Sequence, residues 1–384
     1  MKAATHRFFA TTFNGLEDVL AGEIAALGAE EIYSDTESVS FSGTMELCQR
    51  ANLWLRSANR ISLLLAEFKS PTPADLYEGV RKIPWTELFS PERTISVDVT
   101  VRESEINNSH LAAQQTKDAI VDRFFRNTPG RRPNMDTASS DIRIVVRIVR
   151  DFASIYIDTS GESLHRRGYR THPAEASLKE TLAAGLILLT GWQGQKPLID
   201  PVCGSGTIPI EAALIAGKIA PGSLGRTFGF QKIYCFNRKA WERILSEAHE
   251  TAREASQQAK GVRIEGSDIS PEAISGAVRN ASNAKVKERI GLSIKPLQDF
   301  SPGEGPGTIL CNPPYSARMT ESEQTEMFYR ELGKALKKRC SGWTAYLLSG
   351  NLHMTRFLDL KSSRKFPVKN GPIDCKLLKY NLYS

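Results

Sequence analysis

No apolar run in this chain approaches the ~18–20 residues a helix needs to cross a bilayer, so a spanning helix is not expected. The start, Met1 to Arg7, lacks the apolar core of a signal peptide, and a cytoplasmic protein is expected. Cysteine is sparse: six residues, at 48, 203, 235, 311, 340 and 375, without C-x-x-C spacing. Neither a disulfide frame nor a zinc site is expected from them, and Cys203 and Cys311 read as small packing residues. Histidine is equally scarce, six in 384 residues, and none demands the part of a general base or metal ligand. His165 and His172 fall in a linker, and no metal is expected. There are no low-complexity tracts and no internal repeats, which excludes solenoids and propellers. The first 160 residues also lack a positive balance: 18 Lys+Arg stand against 22 Asp+Glu, a net of −4. Residues 161–384 carry 32 against 21, a net of +11.

At 384 residues the chain exceeds the ~250–300 residues of a single core, so two or more domains are expected. The boundary falls near residue 160, after the alternating stretch 153–161. Before it, strand patterns (8–12, 39–41, 61–68, 95–101, 142–149) alternate with helical ones (16–27, 47–55, 110–125). By pattern alone this is an α+β appendage.

What is present concentrates in a few loops. Thr308-Ile309-Leu310-Cys311 reads as a buried parallel strand. Asn312-Pro313-Pro314-Tyr315 follows, and two prolines have no N–H to continue a ladder. An amide, rigid carbonyls and an aromatic ring thus stand at a strand's carboxyl end, where open α/β sheets bind ligands. Fixed acceptors beside a ring suit a planar exocyclic amine; the bland reading is a strand-ending turn with an exposed Tyr.

Upstream, a strand over 196–200 leads through Asp200-Pro201-Val202-Cys203-Gly204-Ser205-Gly206-Thr207 into a helix over 208–216. Gly-x-Gly lets backbone approach a ligand closely. A dinucleotide fingerprint needs a third glycine, and Pro209 stands there instead. Asp200 before the loop disfavours a pyrophosphate and suits a ligand with a free amino group, such as S-adenosylmethionine. The run 262–268 ends in Asp268 and Ile269, with Ser270 and Pro271 opening a helix. Asp268 is placed for ribose hydroxyls and Asp299 for an adenine amine, though either could be a turn residue.

These residues resemble the THUMP-domain 23S rRNA guanine-N2 methyltransferases, often labelled N6-adenine-specific methylases. The likeness also rests on Leu164 to Arg170, Ala176 to Ala184 and Ala220 to Phe230, and a helical insertion near 241–259 is usual there. It implies an α/β fold: a Rossmann-like S-adenosylmethionine-dependent domain over 161–384, behind a ferredoxin-like unit at 1–65 and an RNA-binding THUMP domain at 66–160. One departure stands out, since Ser316-Ala317-Arg318 replaces the family's Gly-Glu-Arg.

Expected roles follow. Asn312 and the Pro313 carbonyl accept from the amine, the prolines hold these groups rigid, and Tyr315 stacks on a splayed base. The cofactor takes Asp200, Pro201, Cys203, Gly204, Ser205, Gly206, Thr207, Asp268, Ile269 and Asp299. Arg123, Arg126, Arg131 and Arg132, with Arg143 and Arg147 on one strand face and Arg150 on the other, could track phosphates together with Arg166, Arg167 and Arg170. A solvated basic face is the plain alternative. The expected partner is large-subunit rRNA, naked or in an assembly intermediate. Guanine N2 in tRNA, adenine N6 in DNA, a protein glutamine and a non-catalytic assembly factor stay open as rivals.

Overall fold

The computed structural model describes residues 4–128, 130–170, 178–258, 261–314 and 322–383. Tyr315, His172 and the Ser316-Ala317-Arg318 departure lie outside them. Two seven-stranded sheets organise the described chain.

The first sheet is built by β1 (His6–Thr11), β2 (Glu30–Asp35), β3 (Ser38–Gly43), β4 (Arg60–Lys69), β5 (Ile95–Arg102), β6 (Ile142–Val149) and β7 (Phe152–Asp158). Its order is β2-β3-β1-β4-β7-β6-β5. Helices α1 (Glu17–Ala26), α2 (Met45–Trp54), α3 (Pro73–Lys82) and α4 (Ser109–Asn127) complete it. Strand β4 pairs β1 through residues 60–63 and β7 through residues 62–69. The boundary expected at 65 therefore falls inside a shared strand, and the two front units form one sheet. Strand β2 escaped sequence reading because it is an edge strand without buried alternation, carrying Glu30, Glu31 and Asp35. In β6, Ile142, Ile144, Val146 and Ile148 are buried, which puts Arg143 and Arg147 together on the other face. Arg143 pairs with Asp98 at 2.5 Å, and Arg147 lies 4.2 Å over the Phe9 ring. Arg150 is not a strand residue: it turns the β6–β7 hairpin at φ +50 and pairs with Glu103.

The second sheet is built by β8 (Leu198–Asp200), β9 (Ile264–Asp268), β10 (Gly291–Ile294), β11 (Thr308–Cys311), β12 (Thr344–Ser349), β13 (Arg364–Asn370) and β14 (Ile373–Asn381). Around it lie α5 (Glu180–Leu189), α6 (Thr207–Ala216), α7 (Arg238–Gln258), α8 (Pro271–Asn283) and α9 (Ser322–Arg339). The order is β10-β9-β8-β11-β12-β14-β13, parallel from β10 to β12, with β14 antiparallel to both neighbours. From β8 the chain winds outward through β9 and β10, then returns to lay β11 on the other side. The point where winding reverses lies between β8 and β11, with Ile199 opposite Ile309. Open α/β sheets bind ligands at that crevice, outside the strands' carboxyl ends.

The expected insertion helix is α7, and it packs against the front module. Phe228, Phe230, Trp241 and Ile244 belong to the same buried cluster as Phe8, Val39 and Ile144. Ion pairs Arg50–Glu247 and Arg243–Glu46, each at 2.7 Å, tie α7 to α2. The second sheet's chain thus completes the first sheet's core.

Candidate active site

A cavity of about 520 Å3 opens at the β8–β11 crevice. Local sequence explains each wall. After β8, Gly204 at φ +51 and Gly206 at φ +81 turn the chain back into α6. A Cβ on Gly206 would sit 2.9 Å from the Ala277 Cβ, so this glycine also lets α6 and α8 approach. Asp200, Pro201, Cys203, Gly204, Ser205 and Thr207 line the cavity from this turn, Asp268 and Ile269 from β9, and Asn312, Pro313 and Pro314 from β11.

Two expected cofactor residues do not reach the lining. Gly206 serves packing as just described. Asp299 lies exposed on the 3-10 turn Leu297–Asp299, whose Leu297 and Gln298 face the cavity instead. Successive side chains on such a turn diverge by about 120°, so one residue turns away while its neighbours face in. Lys295, Leu178, Ile208, Phe328 and Glu331 also line the cavity and were missed. Phe328 and Glu331 sit three apart on α9, a spacing that puts them on one helical face. Nothing in the sequence says which face of α9 meets the crevice.

Backbone donors fix the acidic walls. Gly204 N–H donates to Asp268 Oδ2 at 2.9 Å and Ser270 N–H to Oδ1 at 3.0 Å, while Cys203 N–H bonds the Ser267 carbonyl at 2.8 Å. Ser270 caps α8 as expected, accepting from Ala273 N–H at 3.1 Å. Asp200 is buried, and its Oδ1 accepts from Val202 N–H at 3.1 Å. Burial, with the Asp268 charge adding to it, pushes the Asp200 carboxyl up to about 8. Asn312 Oδ1 is buried and finds no hydrogen-bond donor among the described residues. Leaving such an acceptor empty costs about 1–3 kcal/mol, and a built site that tolerates the cost is prepared for a donor from outside. Burial pushes Cys203 and Cys311 well above the usual thiol range, in keeping with packing rather than nucleophilic roles. No cluster of His, Cys, Asp and Glu among the described residues could hold a metal.

The expected phosphate track needs correction at the junction. Arg167 is 1% exposed: its Nε lies 2.8 Å from Glu211 Oε1 and it donates to the Arg56 carbonyl at 2.8 Å. Tyr169 O–H donates to the same Glu211 oxygen at 3.0 Å. Arg170 donates to Thr207 Oγ1 and to the Leu178 carbonyl, both at 2.8 Å. Arg167 is thus too buried to meet a phosphate, and Arg170 is tied to the start of α6 and to the Leu178 carbonyl. Arg166 is exposed and pairs with Glu162. Arg126, Arg131 and Arg132 are exposed on the front module, Arg131 pairing with Glu92, and Arg123 is half-buried on α4. Burial, helped by Lys179, Arg166 and Arg170, lowers the His165 imidazole to about 4, which makes it a weak base.

Three stretches match known domain families. Residues 7–62 match the RlmL ferredoxin-like domain, 72–158 the THUMP domain, and 167–379 the RMKL-like methyltransferase domain. The chain belongs to the RMKL-like methyltransferase family. Among relatives, the provisionally named RNA methyltransferase slr0064 of Synechocystis sp. is 39% identical, covering 99% of this chain and 98% of that one. Ribosomal RNA large subunit methyltransferase K/L of Methylococcus capsulatus is 40% identical over 98% of this chain but 51% of its own length. The chain thus spans about half of the K/L relatives it matches. The crystal structure of SMU.472, a methyltransferase by its provisional name and complexed with SAH, is 29% identical with a TM-score of 0.87, covering 100% of both chains. No described helix is long and apolar enough to cross a membrane.

Proposed function

We propose that this chain transfers a methyl group from S-adenosylmethionine to the exocyclic N2 amine of a guanine in large-subunit rRNA. The observation that carries the reading is the buried Asn312 Oδ1 at the mouth of β11, without a donor among the described residues and in one cavity with Asp200 and Asp268. The names of the K/L relatives favour large-subunit rRNA, and the SAH in SMU.472 favours the cofactor. The residues fit that group: Asp268 is oriented for ribose hydroxyls, exposed Ile269 offers an apolar surface to a ring, and Asp200 stands by for an ammonium. When bound, the cofactor supplies an electrophilic methyl on a sulfonium.

The chain's own residues prepare the amine. Its lone pair is delocalised into the base, which makes it a poor nucleophile. Asn312 Oδ1 and the Pro313 carbonyl accept its two N–H bonds and localise the pair. Pro313 and Pro314 limit the freedom of these acceptors, so little reorganisation is needed as charge develops on nitrogen. No strong base is required, because the methylated amine loses its proton readily to water.

Labelled methyl transfer to deproteinised rRNA, tRNA and DNA, followed by mass spectrometry of the nucleosides, tests the reading. N2-methylguanosine from rRNA is the expected product. Label on adenine, or on tRNA alone, would replace the proposed substrate. Binding of rRNA without any transfer would favour an assembly factor.

Two predictions concern the cofactor walls. Asp268→Ala should weaken SAH binding about tenfold to a hundredfold, the loss of charge-assisted hydrogen bonds, with Asp268→Asn losing less. Undiminished SAH affinity in a titration would remove Asp268 from the ribose. Because the free protein holds Asp200 protonated below about 8, an ammonium placed against it would favour the carboxylate and expel a proton. Near neutral pH, SAH binding should therefore show different heats in buffers of different ionisation enthalpy, and Asp200→Asn should abolish the difference. Equal heats in the wild type would place the amino group elsewhere.

A further inference from the structure

A second cleft, of about 520 Å3, opens on the same carboxyl edge of the second sheet. Its position follows from register. Ser349, the last residue of β12, lies opposite Lys376 near the start of β14, and Asn370 at the end of β13 lies opposite Ile373. The β13–β14 turn therefore projects past the sheet on the side where Asn312 leaves β11. From β11 to β14 is two strand spacings, about 10 Å, within reach of a short run of nucleotides.

The charged and amide groups of the walls are donors except for one carboxylate, Asp374. Lys369 and Lys376 line the cleft from the hairpin, Asn351 from the loop after β12, and Asn14 from the front module. Lys369 N–H bonds the Asn14 carbonyl at 3.1 Å, and a Cβ on Gly15 would fall 1.9 Å from the Pro367 carbonyl oxygen, so the module is seated directly on the hairpin. The Asn351 Oδ1 accepts from His353 N–H at 3.0 Å, which leaves its amide N–H groups to face outward partners. Lys376 has no acceptor among the described residues. Lys369 has only Asp374, 3.9 Å away with its side chain 88% exposed, a contact too solvated to hold the ammonium. Arg364, Lys365 and Lys379 extend the positive charge along the hairpin. This hairpin also explains where part of the +11 of residues 161–384 resides, since the front module is net negative.

We infer that this cleft holds the phosphate backbone of single-stranded RNA next to the nucleotide whose base enters the Asn312 cavity. The inference rests on the RNA methyltransferase reading above. Two ammoniums and two side-chain amides, placed between the front module and the methyl-transfer mouth, suit a phosphodiester with its ribose hydroxyls. Such contacts would hold the strand in register without reading sequence, so that a splayed base is presented to β11.

The test compares wild type with the Lys369→Ala/Lys376→Ala double variant on a labelled rRNA fragment, over a series of salt concentrations. The slope of log affinity against log salt should fall in magnitude by about 1.4, roughly 0.7 per lost phosphate contact on a single strand. The KM for RNA should rise, Lys369→Arg/Lys376→Arg should restore most of both, and SAH affinity should match wild type, showing that the fold is intact. An unchanged salt slope and KM in a variant that still binds SAH would overturn the inference. Should wild type transfer no methyl to any RNA, the proposed reaction fails, while the salt slope still decides whether RNA occupies the cleft.

Discussion

Replacing Asn312 with alanine is expected to slow methyl transfer about 100- to 1,000-fold while leaving SAH affinity near that of the wild type. The size is that found when one preorganised polar group at a centre of developing charge is removed. The direction follows from differential binding: a neutral amine donates only weakly to these oxygens, whereas the nitrogen made positive by methylation donates strongly. The contact therefore lowers the barrier more than it holds the substrate. Single-turnover transfer of a labelled methyl group measures the first quantity and titration with SAH the second. The same substitution removes a buried acceptor without a donor among the described residues. The free protein should then be no less stable than wild type, and up to about 1–3 kcal/mol more stable. A rate close to wild type, or a rate lost together with SAH binding, would move the catalytic role away from Asn312.

Arg167→Met is expected to destabilise the protein by about 3–5 kcal/mol, seen as an earlier midpoint in chemical unfolding. Removing one member of a buried pair leaves the other charge uncompensated, and Glu211 is fully buried. Burial already pushes the Glu211 carboxyl up, with Arg167 and then Arg56 opposing the shift. Without Arg167 the shift grows, so the folded variant holds a proton that the unfolded chain releases. Its stability deficit should therefore widen as pH rises and shrink as pH falls. Arg167→Met combined with Glu211→Gln should recover part of the loss, since the Glu211 carboxylate is then no longer stranded, and only part, since buried Arg56 loses a counter-charge. Stability unchanged by Arg167→Met would mean that Glu211 is neutral or otherwise paired in the folded protein.

Elements with a strong internal period or punctuation are legible in the residues themselves. β6 alternates over eight residues, β11 is stopped by two prolines, and α8 opens with Ser270 and Pro271. Elements whose identity depends on a neighbour are not. β2 has no buried face of its own and exists because β3 offers it a ladder. Arg150 continues the apolar run of β6 by pattern, but the hairpin to β7 needs a turn there. The front boundary at 65 came with the family resemblance, whereas β4 is long enough to pair on both flanks.

The cofactor turn and the Asn-Pro-Pro wall could be read from letters because their constraints are covalent. A glycine's φ freedom and a proline's missing N–H act wherever the chain goes. The charge of an arginine carries no such information. Arg166 and Arg167 are adjacent and chemically identical, yet one is solvated and the other is locked to Glu211. Which of them could meet a phosphate depended on α6 passing behind the linker, a contact 44 residues away in the chain. So the sequence alone determined which short segments carry the glycine turn and the proline-held acceptors that line the cavity. Tertiary structure decided that β8 and β11 meet where winding reverses, that the insertion completes the front core, and that the hairpin lysines stand beside the mouth. Those outcomes come from pairing and burial between distant segments, and their energies exist only once both partners are in place.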